Sequence, residues 1–158
     1  MDTSDRIQSV EKIAARQHWM AVLARSKTPE ITEKWNALTS VPDYRFLKPP
    51  ETGLVMVQAR AGGSGAKFNF GEMTMTKCIV ELADGTAGHA YVAGSDAAHA
   101  EIAAVLDAML QVPERRKQIE DDVIDPLNES QVRRKQAIRS KTAATRVDFF
   151  TLVRGEDE

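Results

Sequence analysis

Arg60, Gly62, Gly63, Ser64, Gly65 and Lys67 are the residues whose types and spacing come nearest to a binding chemistry. A glycine-rich turn can aim successive backbone N–H groups at an anion, and the flanking cations would add charge. The run departs from known phosphate loops. Gly65-Ala66-Lys67-Phe68 lacks the Gly-Lys-Ser/Thr of a P-loop and leads into a strand, and the third glycine of a dinucleotide fingerprint is missing. Two readings stand: an anion or partner contact, or a plain hairpin connection.

The remaining reactive side chains form no set. His18, His89 and His99 have no second histidine at metal spacing, and Cys78 is the single cysteine, so no metal site is expected in this chain. Each histidine reads as a satisfied, half-buried side chain. Cys78 alternates in phase with Val80 and Leu82 and reads as an inert buried thiol. Glu81, Asp84 and Glu101 are isolated carboxylates, so no acid and base pair stands out. No catalytic residue and no cofactor site is expected here.

The elements that would carry these residues can be read from spacing. Leu54–Ala59 is a short apolar run, expected to be a strand buried on both faces. Phe68–Leu82 is a second extended segment. Met73 and Met75 have the opposite parity to Cys78, Val80 and Leu82. Either the early part is buried on both faces or a bulge near Thr76 switches the face. Asp84-Gly85 signals a hairpin. With those two residues as the loop, Val80 faces His89 and Cys78 faces Tyr91, which puts both partners on the core face. Ser95-Asp96 caps a helix whose stripe is Ala98, Ile102, Val105, Leu106 and Met109, and Pro113 ends it. The hairpin and this helix predict an α+β fold: a largely antiparallel sheet packed against helices, with N-terminal helices and an extended C-terminal helix-strand arm.

On the N-terminal side, Ile7–Ala24 reads as a helix whose end, at Trp19, Met20, Val22 and Leu23, is either deeply buried or shared between two surfaces. Thr28-Pro29-Glu30 reads as a second helix start with Thr28 as cap, anchored by Trp35 and Leu38. Tyr44–Leu47 reads as an edge strand stopped by Lys48-Pro49-Pro50.

The chain has 158 residues and a net charge of −2, which suits one domain and argues against nucleic acid or anionic membrane as partner. The core is placed at about residues 16–112 and an interaction arm at about 113–158. The N-terminus lacks an apolar leader, no stretch reaches membrane-span length, and one cysteine fits a reducing compartment, so the expected location is cytoplasmic.

The arm has its own character. Glu114–Asp122 is almost entirely charged, and Asp125-Pro126 reads as a new helix start. The helix over about 127–145 has a thin apolar seam of Leu127, Val132 and Ile138 and a basic stripe from Arg133 to Lys141. That stripe is a solvated face or a dock for an acidic partner. Val147–Val153 is strand-like and apolar. An exposed strand of that kind must pair with its own sheet or with another chain, which makes Arg146, Phe149, Phe150 and Leu152 the expected partner interface.

These residues also carry a family resemblance. Arg16-Gln17-His18-Trp19-Met20, Glu51-Thr52-Gly53-Leu54, Gln58-Ala59-Arg60 and Gly62-Gly63-Ser64-Gly65 resemble the PhnG family, the small G subunit of the bacterial carbon–phosphorus lyase core complex. The likeness continues through Asp84-Gly85, Gly94-Ser95-Asp96, His99-Ala100-Glu101 and Asp107-Ala108 to Arg146–Phe150 and Val153-Arg154-Gly155. It covers about Arg16 to Gly155 and departs only conservatively, as at Ser64. It implies a subunit of α-D-ribose 1-methylphosphonate 5-triphosphate synthase, which joins an alkylphosphonate to ribose C1 of ATP and releases adenine. The implied partners are the I, H and J subunits, the L subunit functionally, and another copy of this chain. ATP would be substrate of the complex. No catalytic residue carries over to this chain. The alternative is a free-standing small-molecule or regulatory binding domain using the Gly62–Gly65 loop.

Overall fold

The computed structural model describes residues 3–144, with side chains from Val10 to Ala143. Helix α1 (Thr3–Arg25) and α2 (Thr28–Asn36) precede three strands, β1 (Tyr44–Arg60), β2 (Lys67–Leu82) and β3 (Ala87–Ala93). Helix α3 (Ala97–Gln111) then leads into α4 (Pro113–Ile119), a π-helical turn over Glu120–Ile124, and α5 (Asp125–Ala144). The sheet is antiparallel throughout, in the order β1-β2-β3. The fold is α+β, as the hairpin and the capped helix predict. No helix among the described residues is long and apolar enough to cross a membrane.

Helix α3 is the centre. Asp96 caps it, accepting from the His99 backbone N–H at 2.9 Å. Every residue from Ile102 to Leu110 is buried, so the helix is enclosed all round and not along one stripe; Ala98, placed on that stripe by spacing, is exposed. On one side it meets Cys78, Val80, Leu82, Ala90 and Val92 of the sheet; Trp19, Val22 and Leu23 of α1, and Ile31 of α2, complete the same core. The buried α1 end settles that alternative as deep burial. In α2, Ile31 is the fully buried anchor, with Trp35 and Leu38 partly buried beside it. Its cap residue is Lys27, and the Thr28 hydroxyl donates to Asp96 at 2.6 Å, tying two helix starts together.

Sheet and helix approach most closely at Gly88. A Cβ there would lie 2.1 Å from the Ala104 carbonyl oxygen and 2.5 Å from the Ala108 nitrogen. Only glycine allows β3 this near to α3.

The hairpin register differs by one residue from that expected. Ile79 faces His89, and Lys77 faces Tyr91. The loop holds three residues: the Gly85 N–H donates to the Leu82 carbonyl at 3.0 Å, with Gly85 at φ 84°, and Asp84 accepts from the Thr86 N–H at 2.8 Å. The slip moves His89 and Tyr91 off the core face, and Tyr91 is 52% exposed.

Two further expectations change. Strand β1 does not stop at Lys48-Pro49-Pro50; it runs through the prolines with register shifts on either side of Lys48, which an edge strand tolerates because its outer N–H groups have no ladder to complete. α5 does begin at Asp125, with Pro126 in its first turn, but Asp125 is no cap: its own backbone is helical, at φ −62° and ψ −47°. The π turn joins α4 to α5 without a break. It also brings Ile119, Val123, Ile124 and Leu127 into the buried cluster, which therefore extends past residue 112.

Beyond Leu127 the seam on α5 is as thin as its sequence suggests: Val132 and Ile138 are 45% and 65% exposed. Gln131 donates to the Val22 carbonyl at 2.8 Å, and Arg134 of the basic stripe pairs with Glu30 of α2. The expected interface residues Arg146, Phe149, Phe150 and Leu152 lie outside the described residues.

Candidate functional site

Two features stand out. The first is a buried polar node. Asp107, on α3, has no exposed surface. Its Oδ2 accepts from Arg16 Nη2 at 2.7 Å and from the His89 backbone N–H at 3.0 Å. Its Oδ1 accepts from Trp19 Nε1 at 2.9 Å and Arg16 Nε at 3.2 Å. Gln111, one turn on, donates to the Ala87 carbonyl at 2.9 Å. Arg116 stacks on the Trp19 ring at 5.3 Å. The node binds α1, β3 and α3 to one carboxylate, and that carboxylate is fully saturated. The His89 ring lies against Arg16, with Nδ1 3.3 Å from Nη2. Sequence reading met Arg16 and Asp107 only as parts of a resemblance, and Trp19 otherwise only as part of the apolar end of the first helix. Their chemistry is invisible in sequence because Asp107 lies 91 residues from Arg16.

Other titratable groups are likewise tied into structure. The Cys78 thiol is buried, and burial pushes it up to about 11. His99 is buried and its Nε2 lies 2.8 Å from the Leu23 carbonyl oxygen, deeper than a half-buried histidine. Tyr44 donates to Glu101 at 2.5 Å; burial, with that hydrogen bond next, raises the phenol to about 12. A shallow depression of about 810 Å³ is lined by Lys27, Thr28, Gly94, Asp96 and His99. Asp96 is already bonded there by Thr28 and the His99 N–H, which hold its carboxyl below the usual range.

The second feature is a two-stranded ribbon. β3 pairs with β2 only from Met75 onward, so β1 and β2 continue alone over Leu54–Arg60 and Lys67–Thr74. This corrects the expectation for Leu54–Ala59: the run is a strand but is exposed, with Leu54 at 64% and Met56 at 53%. Neither reading of Met73 and Met75 holds, since the early part of β2 is exposed on both faces and β2 keeps one register with β3 through Thr76. Val55 faces Met73, and Gly53 faces Met75, on the outer face. Phe70 is the extra residue at the register shift beside Val57, and its ring meets Phe68 edge-on at 6.4 Å. Phe70 is 73% exposed.

The predicted loop residues sit at the ribbon's far tip. Arg60 faces Lys67 across the last rung. Gly62 and Gly63 take φ of 58° and 80°. The Gly65 N–H donates to Ala61 at 2.9 Å, and Arg60 Nη1 donates to the Gly65 carbonyl at 3.1 Å. Arg60 therefore closes its own loop, while Ser64 and Lys67 complete the turn into β2.

Comparison with known proteins decides the lineage. The family described as "Phosphonate metabolism protein PhnG" matches residues 14–155. The chain belongs to the PhnG family. A relative from Rhizobium meliloti (strain 1021), "Alpha-D-ribose 1-methylphosphonate 5-triphosphate synthase subunit PhnG", is 41% identical over 147 residues, 92% of each chain. The PhnG match spans both the Asp107 node and the ribbon.

Proposed function

We propose that this chain is a non-catalytic subunit of an α-D-ribose 1-methylphosphonate 5-triphosphate synthase, placed in its complex by the ribbon. With its partners it would serve transfer of an alkylphosphonate to ribose C1 of ATP, with release of adenine. The partners implied by the family are the I, H and J subunits, with the L subunit acting alongside, in a cytoplasmic assembly that takes ATP as substrate.

The observation that carries this reading is the exposed apolar ribbon. A two-stranded hairpin is marginal in water, and large side chains such as Leu54, Met56 and Phe70 gain nothing from solvent. A covering partner supplies the missing apolar contact. The buried polar node fits the same reading, because its carboxylate has no lone pair left for substrate. Displacement at a ribose C1 needs charge stabilisation at an oxocarbenium-like centre and clamps for a triphosphate. Here the tip loop and Arg60 could lend at most one edge of an anion site to a partner.

The test is adenine release from ATP with methylphosphonate. The purified chain should release none, and co-expression with the neighbouring subunits should restore it. Release by the chain alone at a rate comparable to the complex would overturn the subunit reading.

A further inference from the structure

β3 is an edge strand, paired with β2 on one side only. Its ladder begins where the Leu82 N–H meets the Thr86 carbonyl and ends where the Gly94 N–H meets the Thr74 carbonyl. Bonded positions alternate along an antiparallel pair. Gly88, Ala90 and Val92 therefore turn their backbone groups to β2, and Ala87, His89, Tyr91 and Ala93 turn theirs outward. One end of this outer row is filled by side chains standing in for a strand. Gln111 donates to the Ala87 carbonyl at 2.9 Å, and Asp107 accepts from the His89 N–H at 3.0 Å. Beyond them the row is open. The His89 carbonyl and the backbone groups of Tyr91 and Ala93 have no bonding partner among the described residues, and both Tyr91 and Ala93 are exposed. Gly94, at φ 98°, then turns the chain out of the sheet.

A groove runs beside the open row. Met20, Ala21 and Ala24 of α1 face His89, Ala90 and Tyr91 across a cavity of about 200 Å³. Ala24 also lines the shallow depression that continues past Val92, Ala93 and Gly94 to Lys27 and Thr28. The carboxylates along this path are in use. Asp107 is saturated, and Asp96 is bonded by the Thr28 hydroxyl and the His99 N–H. Lys27 stands exposed at the Gly94 end and makes no salt bridge among the described residues.

Each part of the groove specifies one part of its occupant. Open outward N–H and C=O groups call for an extended backbone, which lies about 4.8 Å from the strand it joins. The apolar lining calls for an aliphatic side chain, and the unbridged Lys27 calls for a carboxylate. Every extended segment among the described residues already belongs to the sheet, so the strand comes from elsewhere. We propose that an extended segment of another subunit adds to β3 along His89–Ala93, in the groove beside α1. It sets an aliphatic side chain against Met20, Ala21 and Ala24 and an acidic side chain at Lys27. The proposal rests on the subunit reading and gives the chain a second contact, separate from the ribbon.

Hydrogen exchange of the full chain, alone and in complex with its co-expressed neighbouring subunits, tests it. The Tyr91 and Ala93 amides should exchange freely in the chain alone and at least tenfold more slowly in the complex. Ala93→Pro removes one outward N–H and no bond to β2, a change that an edge strand tolerates. That variant should keep its circular dichroism and bind the neighbouring subunits at least tenfold more weakly; Lys27→Glu should also weaken binding. A complex in which the two amides exchange as in the free chain would overturn the proposal and leave the subunit reading standing. Failure of the parent to form any complex would overturn both. Amides already protected in the free chain would assign the groove to this chain or to a second copy of it, and a folded Ala93→Pro chain that binds like the parent would leave no added strand; either result overturns the proposal. The exchange measurement uses the parent, so it decides even if the proline variant does not fold.

Discussion

Trp19 and Asp107 are joined by an indole N–H to carboxylate hydrogen bond of 2.9 Å, inside a node that also takes both Arg16 nitrogens and the His89 backbone. Asp107→Ala would strand a partly buried guanidinium and two buried donors. The expected loss is about 3–5 kcal/mol, since breaking a buried pair costs more than the pair is worth. Urea unfolding measures it; a loss below about 1 kcal/mol would mean that the node does not hold α1 to α3.

Gly88→Ala places a methyl against the backbone of Ala104 and Ala108, which cannot rotate aside. The expected cost is about 3 kcal/mol, the upper part of the range for overpacking. Thermal unfolding of this variant beside Gly53→Ala, where an added Cβ meets nothing within 4 Å, isolates the effect. Equal losses at both sites would contradict the close approach of β3 to α3.

Asp96 and Glu30 set an acid limb on stability. The Thr28 hydroxyl, then the His99 N–H, hold the Asp96 carboxyl low, and the Arg134 hydrogen bond does the same for Glu30. Both folded values lie below the unfolded ones, so their stabilisation is complete above the ordinary carboxylate range near pH ~4 and is lost as pH falls through the folded values. Asp96→Asn keeps a helix cap but removes the charge. Between about pH 6 and pH 3 its Tm should fall less than the parent's. An equal fall would remove Asp96 from the acid limb.

Legibility in the sequence followed the range of the interaction. The Asp96 cap, the buried Cys78 and the antiparallel hairpin are local and were readable. The register was missed by one residue because Asp84 and Gly85 close a three-residue loop, a difference of backbone conformation and not of composition. The buried run Ile119–Leu127 was missed because the π turn realigns residues that straight helical spacing scatters. Leu54–Ala59 was misplaced for another reason: an apolar strand left exposed and one buried in the core have the same composition. The Asp107 node was beyond reach, since nothing near Asp107 in the chain announces Arg16.

Polar substitution on the ribbon should separate folding from assembly. Leu54→Ser with Phe70→Ser removes exposed apolar surface outside the core, so the isolated chain should keep its unfolding free energy within about 0.5 kcal/mol. A larger loss would show that the ribbon contributes to the chain's own fold.

The central claim is that the ribbon seats this chain in a phosphonate-processing complex. Co-purification of that same double variant with the co-expressed neighbouring subunits, read together with phosphonate-dependent adenine release, tests it most directly. The account predicts that the folded variant fails to co-purify and that adenine release drops at least tenfold. Full recovery of both complex and activity with the ribbon substituted would contradict it.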